Sequence, residues 1–122
     1  MSFSFVGIDH IQLAIPEHGE AEARQFFGQI LGWQEIPKPD ILRKRGGMWF
    51  QCGSQQVHIG IQKDFVAATK AHPAFYVKNL DQFRQYLEAS GIHPIEGETV
   101  AGTKRFYLFD PFGNRLEFLE SL

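Results

Sequence analysis

The sequence predicts an α+β fold made of two tandem β-α-β-β-β modules, and three observations carry that expectation. Residues 9–16 (DHIQLAIP) and 71–78 (AHPAFYVK) have the alternating, β-rich pattern of strands and open the two halves of the chain. Each is followed by apolar residues at helical spacing that stop at a glycine, Gly32 or Gly91. Each helix is then followed by three short strand-like stretches. One supersecondary unit used twice is the simplest account of that order.

In the first half, residues 20–31 place Ala23, Phe26, Phe27, Ile30 and Leu31 on one helical stripe. Strands are expected near residues 33–36, 48–52 and 56–62. In the second half, Asn79 and Gln82 have the spacing of a capping box, and Leu80, Phe83 and Leu87 form the apolar stripe behind it. Strands follow near 92–95 and 105–109. A turn at residues 110–114 (DPFGN) then leads into a last strand over 115–120. The modules span about 5–62 and 71–120 of a single domain covering 1–122, with a linker at 63–70. Pro73 has no backbone donor, so the strand containing it must start there or leave its N–H side unpaired.

Composition narrows the function classes. The chain has 122 residues, 43% apolar and 21% charged, which suits one globular domain with a real core. A formal charge of −2 supplies no general attraction to nucleic acid or to a membrane surface. Twelve phenylalanines point to aromatic packing or an aromatic-lined pocket. Cys52 is the single cysteine, so no internal disulfide forms. The N-terminus lacks a signal-peptide pattern, and no apolar run approaches the roughly 20 residues that span a bilayer. A cytoplasmic protein is expected.

Strand alternation sorts the chemistry. Ile11, Leu13 and Ile15 share one face of the first strand, with His10 and Gln12 on the other. Val57, Ile59 and Ile61 oppose His58 and Gly60. Phe75 and Val77 oppose His72 and Ala74, and Leu116 and Phe118 oppose Glu117. The apolar faces suit packing against the helices. The other faces carry His10 and His58 from one half, and His72 and Glu117 from the other, at matched positions of the repeat. A lone strand histidine is usually a hydrogen-bonded or half-exposed residue, but four metal-capable groups at matched positions are hard to assign to chance. His18 and His93 have no such partners and are read as surface residues. Cys52 is read as a small buried residue, since its strand offers no adjacent base.

With these segments in place the sequence resembles the vicinal oxygen chelate superfamily, which includes glyoxalases, bleomycin-resistance proteins and extradiol dioxygenases. The resemblance runs nearly end to end through DHIQLAIP, FFGQILGW, HPAFYVKNLDQFRQYLEASGI and FYLFDPFGNRLEF. The last is the most specific, with Asp110, Pro111, Gly113, Asn114 and Glu117 matching a common Asp-Pro-x-Gly-Asn-x-x-Glu pattern. It implies a glyoxalase-like fold in which the two modules form a cupped mixed β-sheet with helices on its outer face. The family's ligand positions fall on His10, His72 and Glu117, and the fourth position, often Glu or Gln, holds His58. That departure leaves His58 as a ligand, a base or a lining residue. The resemblance also implies a homodimer, in which each site combines halves of two chains.

Imidazole and carboxylate ligands suit Zn, Ni, Mn, Fe or Co without choosing among them. Such an ion can bind two neighbouring substrate oxygens and stabilise developing charge, with Glu117 or His58 moving the proton. Gln12, Trp49, Arg105 and Tyr107 are the expected substrate contacts. Arg105 suits a substrate carboxylate or phosphate, and the basic loop at 37–47, with Lys38, Arg43, Lys44 and Arg45, could close over an anionic ligand; the small-molecule substrate is expected to be anionic or a thiol conjugate. The expected activity is a metal-dependent lyase or isomerase on a small oxygenated substrate. The alternatives are a fosfomycin-resistance-like thiol transferase, a small dioxygenase and a metal-free drug-sequestering binder.

Overall fold

A computed structural model describes residues 2–122. The chain divides into two compact units, Met1–Phe65 and Val66–Leu122. Unit one contains β1 (His10–Ile15), α1 (Glu20–Ala23) running into a π-helical stretch (Arg24–Ile30), β2 (Gln34–Ile36), α2 (Asp40–Arg43), β3 (Met48–Cys52) and β4 (Gln55–Ile61). Unit two contains β5 (Ala74–Tyr76), α3 (Leu80–Ala89), β6 (Ile95–Glu96), β7 (Thr103–Phe109) and β8 (Arg115–Ser121).

Each unit builds one four-stranded mixed sheet, ordered β1-β4-β3-β2 and β5-β8-β7-β6. The opening strand of each unit lies parallel to the last, and the remaining pairings are antiparallel. The expected α+β duplication is therefore the observed one, with the same strand order in both halves. α2 is an addition, one short helix inside the basic loop.

The cores follow the predicted faces. In unit one Ile15, Phe27, Met48, Phe50, Val57 and Ile59 are buried, and in unit two Leu80, Leu87, Phe106, Leu108, Leu116 and Phe118. The first helix departs from the predicted α-helical stripe. Its wider π turn, marked by Leu31 N–H donating to the Phe26 carbonyl at 2.9 Å, accompanies the burial of two consecutive aromatics. Phe26 and Phe27 meet edge to face at 5.0 Å, and Phe27 stacks on Trp33 at 5.5 Å.

The capping box is not formed. Asn79 takes a left-handed conformation (φ 61°) and its side chain makes no cap hydrogen bond. The free N–H groups of Asn79 and Leu80 instead donate to the Glu120 carboxylate of β8, at 2.8 and 3.0 Å. An anion from a neighbouring strand satisfies two orphan donors and the positive helix end together, which a neutral amide cannot do as well. These bonds, with the Leu80 N–H first, hold the Glu120 carboxyl below its ordinary value of 4.5. A carboxyl with a depressed folded pKa stabilises the fold above its unfolded pKa and loses that contribution as pH falls through the folded one. Glu120→Gln is therefore expected to lower the thermal midpoint at neutral pH. It should also flatten the decline of the midpoint between pH 5 and pH 3, a range set by that ordinary value.

Pro73 acts as expected: β5 starts directly after it, and its carbonyl accepts from Glu117 N–H at 3.0 Å.

Candidate functional site

In unit one, parallel pairing sets Gln12 of β1 beside His58 of β4, and antiparallel pairing sets Trp49 of β3 on its other side. Neighbouring strands thus project their side chains from one face of the sheet. His58 is buried, with Trp49 stacked on one side at 3.8 Å and 5° and His10 on the other at 3.9 Å and 18°. Both faces of the His58 ring are covered, so a ligand can reach only its edge. Its Nε2 lies 2.9 Å from the Gln56 amide oxygen, and with that oxygen as acceptor the proton is assigned to Nε2 and the lone pair to Nδ1. Burial, reinforced by His10 and Lys38, pushes the His58 pKa down from its ordinary 6.5, which keeps the ring neutral at pH 7. His10 Nδ1 lies 2.8 Å from the Asp9 carboxylate, leaving Nε2 as its coordinating atom.

A cavity of about 460 Å³ opens on this face, lined among others by His10, Gln12, Lys38, Arg45, Trp49 and His58. Gln12 lies across Gly60, where any Cβ would fall 2.4 Å from its amide nitrogen. A glycine there is what lets the Gln12 side chain lie across the strand. Lys38 donates to the Gly46 carbonyl and so ties the two ends of the basic loop together.

In unit two the register repeats. Glu117 of β8 pairs with Ala74 of β5 and Tyr107 of β7, as His58 pairs with Gln12 and Trp49. His72 precedes Ala74 by the same two residues that separate His10 from Gln12. Glu117 is 6% exposed and its two oxygens face different partners. Oε1 lies 3.0 Å from His72 Nε2, and Oε2 accepts from Arg105 Nη1 at 3.1 Å. His72 Nδ1 lies 2.9 Å from the Lys70 carbonyl, which can only accept, so Nδ1 is protonated.

That arrangement tests whether the residues fit a metal. With Nδ1 donating to a carbonyl, a neutral His72 turns the Nε2 lone pair toward a carboxylate oxygen. Two acceptors 3.0 Å apart repel unless a cation, either a proton or a metal ion, lies between them. A histidine whose other nitrogen is fixed on a carbonyl or carboxylate is also the usual form of a metal-ligating imidazole. His72 and His10 both have it. In unit two, an imidazole and a carboxylate are donor types that a divalent ion accepts. Among the described residues no group of three or more His, Cys, Asp or Glu gathers at one point. Within unit one His10 stacks on His58, and within unit two His72 meets Glu117.

Arg105 and Tyr107 share a face as predicted, but the Arg105 guanidinium is already engaged by Glu117 and by Thr103 Oγ1 at 3.3 Å. It holds the carboxylate in place. Tyr107 meets the His72 ring edge to face at 5.7 Å, and the Arg115 guanidinium lies 4.1 Å from its centroid. His18 and His93 are exposed, as expected. Burial pushes the Cys52 thiol pKa up, which agrees with an unreactive cysteine. Sequence reasoning missed Asp9 and Gln56 as histidine partners. Both leave a local signal: Asp9 adjoins His10, and Gln56 shares a strand face with His58 two residues away.

Residues 7–118 match the family model described as the Glyoxalase/Bleomycin resistance protein/Dioxygenase superfamily. Among solved structures, a Bacillus anthracis protein assigned to the glyoxalase family is 50% identical over 100% of both chains, with a TM-score of 0.96. An Enterococcus faecalis glyoxalase family protein is 25% identical over 95% of this chain and 98% of its own, with a TM-score of 0.74. A lactoylglutathione lyase from Agrobacterium tumefaciens is similar in fold, at 19% identity over 98% and 96% of the two chains and a TM-score of 0.69. No curated protein matches at a significant level. No helix among the described residues is long and apolar enough to cross a membrane.

Proposed function

The chain belongs to the glyoxalase/bleomycin resistance protein/dioxygenase superfamily, and from that premise we propose that it is a divalent-metal-dependent enzyme of the lyase or isomerase type. Its substrate in this reading is a small molecule with two neighbouring oxygens. The observation that carries the reading is the His72 Nε2–Glu117 Oε1 approach at 3.0 Å, with Nδ1 fixed on the Lys70 carbonyl. His72 and Glu117 are the proposed ligands of unit two, and His10, with its Nδ1 beside the Asp9 carboxylate, is the matching candidate ligand of unit one. When bound, a divalent ion would polarise the two substrate oxygens as a Lewis acid.

The chain's own residues supply the rest. Arg105 fixes the Glu117 carboxylate through Oε2 and keeps Oε1 directed at His72. His58, neutral and with Nδ1 unprotonated, is suited to accept a proton from a carbon acid beside a bound oxygen. Trp49 packs against its ring and holds the orientation.

One observation favours a second reading, a metal-free small-molecule binder. The Glu117 charge is already countered by Arg105, and an imidazolium at His72 would satisfy Oε1 without any metal. Metal analysis of untagged protein separates the two. The enzyme reading expects a divalent ion bound with sub-micromolar affinity by calorimetry, weakened at least about 100-fold by His72→Ala or Glu117→Gln, since each removes a ligand. If Zn, Ni, Mn, Fe and Co all fail to bind folded wild-type protein, the binder reading takes its place.

A further inference from the structure

We propose that the cavity of unit one selects small molecules bearing an oxyanion, a carboxylate or a phosphonate, through Lys38 and Arg45. The inference rests on the proposed function only in taking this cavity as the substrate pocket, and it specifies the substrate class.

The volume, about 460 Å³, lies in the range that holds a small ligand rather than a few waters. Its charge is uneven. Lys38 and Arg45, at the two ends of the basic loop, both line it, and among the described residues the one carboxylate on the wall, Asp9, lies against His10. Lys38 is held by the Gly46 carbonyl, so its ammonium is positioned rather than free to swing into solvent, and it retains two further donors.

The wall opposes a cationic or purely stacking ligand. Both faces of His58 are taken by Trp49 and His10, so its ring offers no open face for a ligand to stack on. Leu42 adds an apolar contact from α2, and the Gln12 amide, lying over Gly60, offers a neutral donor beside the cations. Two cations and an amide donor favour a compact anion with an apolar body over a neutral molecule of the same shape.

The test uses benzoate and phenylphosphonate as the anionic probes and benzamide as a neutral probe of nearly the same shape. All measurements are made in EDTA, so that metal binding plays no part. Trp33 packs on Phe27 and Phe50 away from the cavity, so Trp33→Phe leaves Trp49, in the wall, as the single reporting tryptophan. Titration calorimetry on the unmodified protein gives the same comparison if that variant does not fold. At least one anion is expected to bind tenfold or more tightly than benzamide. The preference should fall severalfold in Arg45→Gln, disappear in Lys38→Gln/Arg45→Gln, and weaken between 50 and 500 mM NaCl. Whether benzoate or phenylphosphonate binds better identifies which oxyanion the pocket prefers. Equal binding of benzamide, no binding of any probe, or an anion preference that survives in the folded double variant would each overturn the proposal. None of these results bears on whether His72 and Glu117 hold a metal, so the two readings fail separately.

Discussion

Glu117→Ala is expected to destabilise the metal-free protein by about 3 kcal/mol, a large share of the roughly 5–15 kcal/mol that holds a domain of this size together. Side-chain exposure is 8% for Glu117 and 19% for Arg105, so the variant strands a guanidinium in surroundings with little water. Among the described residues Arg105 Nε is buried with no acceptor, and the guanidinium's partners are Glu117 and Thr103. The loss therefore comes mainly from an uncompensated charge rather than from a missing attraction. That distinction is testable. Adding Arg105→Met removes the stranded charge, and the double variant is expected to regain at least about 1 kcal/mol. Urea unfolding in EDTA measures both steps and excludes stabilisation by bound metal. A single-variant loss below about 1 kcal/mol would mean that the pair contributes no more than an exposed ion pair.

Gly47→Ala is expected to cost about 3 kcal/mol or more and to disturb the cavity with it. Gly47 sits at φ +79°, and a Cβ there would lie 2.1 Å from the Ile59 carbonyl oxygen. The left-handed backbone costs an alanine about 1 kcal/mol, and the collision adds a further ~2 kcal/mol in forced movement. The clashing atom is backbone in β4, which pairs on both sides, so it cannot turn aside as a flexible side chain would. Any shift at Ile59 is passed to the adjacent His58 and its ring stack. Gly53→Ala is the internal comparison: φ is +57° there, but nothing lies within 4 Å of the added carbon. It should cost only the backbone part, about 1 kcal/mol. Equal losses at the two positions would show that the contact with Ile59 relaxes freely.

Much of the architecture was legible because strand alternation and helix stops are local signals. The strand expected at 48–52 is β3, Met48–Cys52, and those expected near 56–62 and 115–120 are β4 and β8, shifted by a residue at most. Gly32 and Gly91, both at positive φ, follow the two helices where the sequence placed the stops. Local signals failed where a residue's partner is distant. Asn79 and Gln82 have capping-box spacing, but Glu120, about 40 residues further on, presents a charged acceptor to the Asn79 N–H that Gln82 would have taken, and to the Leu80 N–H beside it. The spacing predicts Phe26 and Phe27 on one α-helical stripe and both are buried, but the packing of Phe27 beside Trp33 and Phe50 comes with a π turn that the local spacing does not signal.

The candidate site divides along the same line. The sequence by itself determined which side chains share a face, because a strand's period of two is built into the backbone. It thereby singled out His10, His58, His72 and Glu117 at matched positions of a repeat. Only the tertiary structure decided who faces whom: that His58 lies between Trp49 and His10, and that Arg105 holds Glu117 rather than standing free. It also decided which nitrogen of His72 carries the proton. Register between strands is set by contacts far apart in the chain, and a histidine's tautomer by the acceptor that reaches it, so neither can be read from local pattern.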